Sequence, residues 1–233
     1  MKADVGIIGA MQPEVDKLIS LIASPSVYTV SGIDFYCGEL CNKQVCIAKC
    51  GVGKVFASIC ATAMIITFSP SLIINTGVGG ALRSGIKPTD IVIAGSLVQH
   101  DMDTSPLGDP KGLISGINKV FFEADSRAVD ILKDAAKSLG YDHCIGTVAT
   151  GDRFVASRED KESIRASFNA DACEMEGGAI AQAAYVANTP FAVIRAISDS
   201  ADDSSSMDYM KFLPIAAERS ASLAMKLVEL YLN

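Results

Sequence analysis

Val5-Gly6-Ile7-Ile8-Gly9-Ala10-Met11-Gln12-Pro13-Glu14 is the stretch that decides the fold. Val5 to Ala10 is a short apolar run bounded by glycines, the pattern of a strand buried on both faces. Val15, Leu18, Ile19 and Ile22 then fall on one helical stripe, with Pro13 suited to the first turn. A buried strand running straight into a helix is the repeating unit of an α/β protein.

Working outward, the alternation continues to the end of the chain. Phe35 to Leu40 and Val45 to Lys49 read as a hairpin across Asn42-Lys43. Val55 to Phe68 reads as a buried helix and Leu72 to Thr76 as a buried strand. Strands follow at Ile91–Ala94, Val120–Glu123, Ile145–Thr150 and Phe191–Ile197. Val129, Leu132, Ala136 and Leu139 mark a helix closed by Gly140. Ser157 with Asp160 resembles a capping box for a helix reaching Phe168. Cys173 leads into a further helix, and residues 215–232 form the last one. The expectation is one α/β domain over residues 1–233, with helices covering a largely buried sheet. Asp101 to Asn118, with two prolines and three glycines, breaks the rhythm, and loops this long are usually functional or interfacial.

Bulk properties narrow the function. The 233 residues are 49% hydrophobic with a net charge of −7, which excludes a disordered chain. No basic cluster stands out, so no nucleic-acid partner is expected. The uncharged run from Val55 is split by Ser69-Pro70-Ser71 into pieces too short to span a membrane, and no membrane partner is expected. Seven cysteines, an odd number without secretory context, read as reduced thiols of a cytoplasmic protein. The spacing of Cys37, Cys41, Cys46 and Cys50 lacks close metal-ligand pairs, and no metal is expected.

Four constellations sit where strands give way to loops or helices, the edge at which open α/β sheets bind ligands. Glu14 is a carboxylate in a first helical turn, where complementing the helix dipole is the plain alternative. Gly77-Val78-Gly79-Gly80 reads as a glycine turn after a buried strand, without the third glycine of a dinucleotide fingerprint. Glu174 and Glu176 would point the same way if extended, and a carboxylate suits the paired hydroxyls of a ribose. Arg195 lies inside an apolar strand and needs a partner, since burying it unpaired is costly. Asp199 follows it, and Asp202 and Asp203 beyond would raise its pKa, as a proton donor requires. His100-Asp101-Met102-Asp103 offers too few histidines for a metal site or a catalytic triad.

Together these motifs resemble the 5'-methylthioadenosine/S-adenosylhomocysteine nucleosidases of the purine nucleoside phosphorylase superfamily. Glu174-Met175-Glu176 and Arg195-Ala196-Ile197-Ser198-Asp199 carry the resemblance, supported by Gly151-Asp152-Arg153-Phe154 and by the opening strand. It implies a three-layer α/β/α sandwich around a mixed central sheet, a homodimer, an adenine-nucleoside substrate and no cofactor. It implies that Glu14 activates water, Arg195 helps hold that water, and Asp199 protonates the purine beside Ser198. Met175 and Glu176 would bind the ribose, and Phe154 and Val155 the purine. Met11, Val52 and Tyr209 would line the 5'-substituent pocket, completed by Leu107 of the partner subunit. Val78 stands where many relatives carry a serine, and Gln12-Pro13 replaces an acidic pair. Hydrolysis of a futalosine-type nucleoside, phosphorolysis, and non-catalytic nucleoside binding are the alternatives. Glu14 would repel an attacking phosphate, which favours hydrolysis.

Overall fold

The computed structural model describes residues 2–202 and 205–232. Its backbone is a mixed sheet of ten strands in the order β10-β6-β8-β9-β5-β1-β4-β3-β2, with β7 beside β6. In chain order the strands are β1 (Val5–Gly9), β2 (Ser26–Val30), β3 (Ile33–Leu40), β4 (Lys43–Lys49) and β5 (Leu72–Ala81). There follow β6 (Ile91–Gln99), β7 (Phe121–Glu123), β8 (His143–Thr150), β9 (Ala172–Glu174) and β10 (Phe191–Asp199). Because β10 also pairs with β5, strands β5, β10, β6, β8 and β9 close into a ring.

Helices cover both faces. On one side α2 (Lys54–Phe68) and α5 (Gly177–Val186) bury Cys60, Met64, Ile180 and Ala184 against the sheet. On the other, α1 (Gln12–Ser20), α3 (Ser126–Ser138) and α6 (Ser205–Leu230) bury Leu18, Leu132 and Leu227. The expected three layers are therefore present. α4 (Arg158–Phe168) packs at one side through Ile164 and Phe168, capped by the Ser157 hydroxyl that accepts from Asp160 N.

Three sequence expectations change. Residues 77–80 are not a turn: β5 runs unbroken to Ala81, fully buried. Its glycines are required by what crowds the strand. A Cβ on Gly77 would sit 2.6 Å from Glu14 Oε1, and one on Gly79 2.8 Å from the Cys173 carbonyl oxygen. Next, Cys173 belongs to β9, and the last helix begins at Ser205, ten residues before the apolar stripe that marks it in the sequence. Finally, the cysteines are not all reduced. Cys37 and Cys46 face each other in the β3–β4 register with Cα atoms 4.2 Å apart and form a disulfide. Cys41, Cys50, Cys60, Cys144 and Cys173 are free. Among the described residues no helix is long and apolar enough to cross a membrane.

Candidate active site

The carboxyl ends of β1, β5, β8, β9 and β10 converge, and a cavity of about 240 Å³ opens there. Glu14, Val78, Glu176, Phe154, Asp199 and Tyr209 are among the residues that line it. Met11, Val52, Val155, Met175, Ser198, Gly79 and Gly80 line it as well. These come from distant parts of the chain, and only the sheet brings them together.

Glu14 enters from the first turn of α1. Its Oε2 accepts from Ala10 N at 2.7 Å and Met11 N at 2.9 Å, and Oε1 accepts from Val78 N at 3.0 Å. The bond to Met11 N caps the helix, so the plain reading of this residue holds too. What it does not account for is the Val78 bond, which fixes the carboxylate across to β5. Burial pushes the Glu14 pKa above the usual carboxylate range, while the Arg195 charge and the three backbone donors pull it back.

Arg195 is fully buried, and its partner is Glu174. The guanidinium donates to Glu174 Oε2 and to Asn75 Oδ1, and at 2.9 Å to the Ile194 carbonyl. Glu174 also accepts from Thr150 Oγ1, and from Glu176 N at 3.0 Å and Gly177 N at 2.6 Å. Burial alone would raise the Glu174 pKa, but Arg195 and these donors outweigh it and hold the pKa low. Arg195 itself stands behind the cavity wall, close to Glu14 across Gly77.

Glu174 and Glu176 do not act as a matched pair. Glu174 ends β9, whereas Glu176 takes the N-cap of α5 with φ −130° and ψ −40°. Alternation is lost at that point, and the second carboxylate turns toward the Gly51-Val52-Gly53 loop. There Glu176 Oε1 accepts from Gly53 N at 2.8 Å. Burial and the neighbouring Glu174 push its pKa up to about 7.

Asp199 is the last residue of β10 rather than part of the loop beyond it. Its Oδ1 accepts from Ala201 N at 2.9 Å and its Oδ2 from Ser198 Oγ at 2.8 Å. Its pKa is raised, first by burial and in part by Asp208. Burial, rather than a neighbouring charge, is the largest cause. Asp203 lies outside the described residues, and Asp202 turns its backbone N–H to Ser205 Oγ.

Around the rim, the Phe154 ring meets Tyr209 edge-on with centroids 5.7 Å apart, and Tyr209 Oη donates to Met11 Sδ at 3.1 Å. Phe154 is half exposed and lines the cavity. Leu107, in a 3-10 turn (Ser105–Leu107), is 83% exposed and does not line this chain's own cavity. Residues that sequence reasoning missed lie underneath. Asn75 and Thr150 brace the buried ion pair, and Ser220 of α6 donates to or accepts from Thr76 Oγ1 and accepts from Gly77 N. A lone Asn or Thr in an apolar strand was the only available signal for the first two.

The phosphorylase superfamily pattern matches residues 4–229. A 5'-methylthioadenosine/S-adenosylhomocysteine nucleosidase of Haemophilus influenzae (strain PittEE) is 36% identical over 97% of this chain and 98% of its own length. The crystal structure of the Neisseria meningitidis nucleosidase of that name, in complex with methylthio-immucillin-A, superposes with a TM-score of 0.94 at 35% identity. It covers 97% of this chain and 98% of the other. A futalosine hydrolase of Helicobacter pylori superposes with a TM-score of 0.93 at 33% identity, covering 97% of each chain.

Proposed function

This chain belongs to the 5'-methylthioadenosine/S-adenosylhomocysteine nucleosidases of the phosphorylase superfamily, and from that premise we propose how its residues cleave the N-glycosidic bond of those nucleosides. The observation that carries the reading is a pair of buried carboxylates, Glu14 and Asp199, with raised pKa values in one cavity. Gly77 touches one and Gly80 the other, three residues apart along β5, on the order of 10 Å of extended strand. That separation suits a ribose with its base.

Breaking the bond between C1' and N9 leaves positive charge on the sugar and negative charge on the purine. Glu14, ionised with Arg195 close by, takes a proton from the attacking water and stabilises the sugar cation. Asp199, kept protonated by burial and aimed by Ser198, protonates the purine. Glu176 and Met175 hold the ribose hydroxyls and Phe154 stacks on the base, with the backbone of Val155 reading its edge. Met11, Val52 and Tyr209 surround the 5'-substituent. Val78 contributes its backbone N–H to Glu14 and no hydroxyl to the water, so the water depends on Glu14 and on the charge of Arg195.

The working unit is a homodimer. Val55, Phe56, Ile59 and Ile66 leave an exposed apolar stripe on α2, continued by Tyr185 and Val186 of α5. A patch of this kind marks a protein interface, and joining two copies there would let Leu107 of one reach the 5'-pocket of the other. Five free cysteines against one disulfide favour a cytoplasmic setting, and the whole chain works as one nucleosidase domain.

Futalosine-type nucleosides are the second reading, favoured by the likeness to the Helicobacter pylori hydrolase. The test is product analysis with methylthioadenosine, S-adenosylhomocysteine and futalosine, with and without phosphate. Free adenine and free methylthioribose, at a rate that phosphate leaves unchanged, are expected. A sugar 1-phosphate formed as fast as adenine would make the enzyme a phosphorylase. Turnover of the futalosine compound alone would shift the substrate assignment.

A further inference from the structure

Among the described residues, Gly51-Val52-Gly53 carries the one backbone donor to the Glu176 side chain, Gly53 N, and two of its three residues are glycines. Gly51 and Gly53 have φ of +95° and +99°, a region open to glycine at little steric cost. On its N-terminal side the segment is held by the body of the sheet, through Cys50 N to the Gly9 carbonyl at 2.9 Å and Gly51 N to the Ala10 carbonyl at 3.1 Å. After Val52, which is half exposed, that support ends.

On the C-terminal side a separate set of bonds takes over, drawn from the loops after β6 and β8. Asp152 Oδ1 accepts from Lys54 N at 2.8 Å, one residue past the donor to Glu176. Lys54 Nζ reaches Asp101 Oδ1 at 2.6 Å, and Asp101 Oδ2 accepts from Asp152 N at 2.9 Å. The three side chains thus close a loop of hydrogen bonds around the start of α2. The space is tight: a Cβ on Gly53 would lie 3.1 Å from Asp152 Oδ1. Lys54 and Asp101 are only partly exposed, and the Asp101 pKa is held low because Lys54 and Asp152 N outweigh its burial.

We propose that Lys54, Asp101 and Asp152 are positioning residues that clamp Gly53 so that its N–H stays on Glu176. The clamp rests on the reading of Glu176 as the ribose ligand, because only then does its orientation affect substrate. Three features support it. The bonds join at the residue adjacent to the donor. They come from elements other than those that carry Glu14 and Asp199. And the Gly53 N–H counts among the influences that keep Glu176 from rising further. Glu176 is faced by Glu174 of β9, Arg195 of β10 and Glu14 of α1, and it in turn acts on Cys50 and on Tyr209 of α6. None of these belongs to the clamp, so a clamp variant changes one influence on Glu176 and leaves the others.

The experiment measures kcat and KM for methylthioadenosine across pH in Lys54→Met, Asp101→Ala, Lys54→Arg and Glu176→Gln, and in the double variant Lys54→Met with Glu176→Gln. Slackening one hydrogen bond to a charged group is expected to raise KM about tenfold while kcat changes little. The KM increase should widen as pH falls, since a weaker Gly53 bond raises the Glu176 pKa and protonates it earlier. Lys54→Arg should restore most of the affinity. In the Glu176→Gln background Lys54→Met should add nothing further. If Lys54→Met does not fold by circular dichroism, Lys54→Gln carries the same comparison. An unchanged KM in Lys54→Met and Asp101→Ala, with Glu176→Gln impaired, overturns the clamp and leaves the ribose ligand standing. Equal losses in both backgrounds also overturn it. A Glu176→Gln enzyme with normal KM removes the ribose reading, and the clamp with it.

Discussion

The β1–α1 corner and the end of β10 each present one buried carboxylate to the same cavity, yet their surroundings differ. Glu14 takes three backbone N–H bonds and feels the Arg195 cation across Gly77. Asp199 takes one backbone N–H and the hydroxyls of Ser198 and Ser205, and a charged neighbour that raises it is another acid, Asp208. Both are raised by burial, and at Glu14 the Arg195 cation is the largest influence opposing that rise. In the proposed mechanism these surroundings separate two similar side chains into a base and an acid. Glu174 is the third case: the same burial, with a direct ion pair to Arg195, leaves its pKa low.

The contrast breaks most severely if its base is removed. Glu14→Gln should reduce kcat by about 10²–10⁴-fold, the usual worth of a general base. Its thermal midpoint should change only modestly, because relief of the buried charge is set against the backbone donors that the amide nitrogen leaves unpaired. Near-normal turnover in the folded variant would contradict the assignment. Glu174 should behave in the opposite way. Glu174→Ala leaves Arg195 buried without its ion-pair partner, and should cost about 3–5 kcal/mol in denaturant unfolding. A stability change under 1 kcal/mol would show that the pair matters less than its burial suggests.

The pH dependence sharpens the comparison further. Glu14 must be ionised and its pKa is raised, so kcat/KM should fall as pH drops through that pKa. Asp199 must be protonated and its pKa is raised as well, so activity should fall as pH climbs through its value. The acid limb should disappear in Glu14→Gln and the alkaline limb in Asp199→Asn. Glu176, at about 7, should add a KM increase below neutrality. The smallest effect is expected at the rim. Leu107→Arg should weaken the dimer in sedimentation and raise KM several-fold with kcat little changed, whereas a fully active monomer would remove Leu107 from the site.

Much of this was legible in the sequence, and the exceptions have physical causes. The buried strands showed as unbroken apolar runs, and α3 and α4 by stripe and cap. Arg195 announced a need for a partner without naming it, since pairing with Glu174 depends on β9 and β10 both flanking β5. The glycines at 77–80 were misread because glycine signals close approach and turning alike, and only the packed neighbours distinguish the two. β2 escaped notice because four of its five residues are exposed and show no alternation. The first ten residues of α6 include apolar side chains, but Met207 and Met210 are exposed and Pro214 interrupts the pattern, so they form no single buried stripe. The disulfide depends on cross-strand register, which spacing alone does not give.

The division into base and acid is tested most directly by changing the leaving group. Asp199→Asn and Glu14→Gln would each be assayed on methylthioadenosine and on a 5'-methylthioribosyl p-nitrophenol, whose leaving group departs without protonation. Asp199→Asn should lose adenine release yet recover much of its rate with the nitrophenyl substrate, while Glu14→Gln should stay impaired on both. Equal impairment of Asp199→Asn on the two substrates, or recovery by Glu14→Gln, would contradict the account.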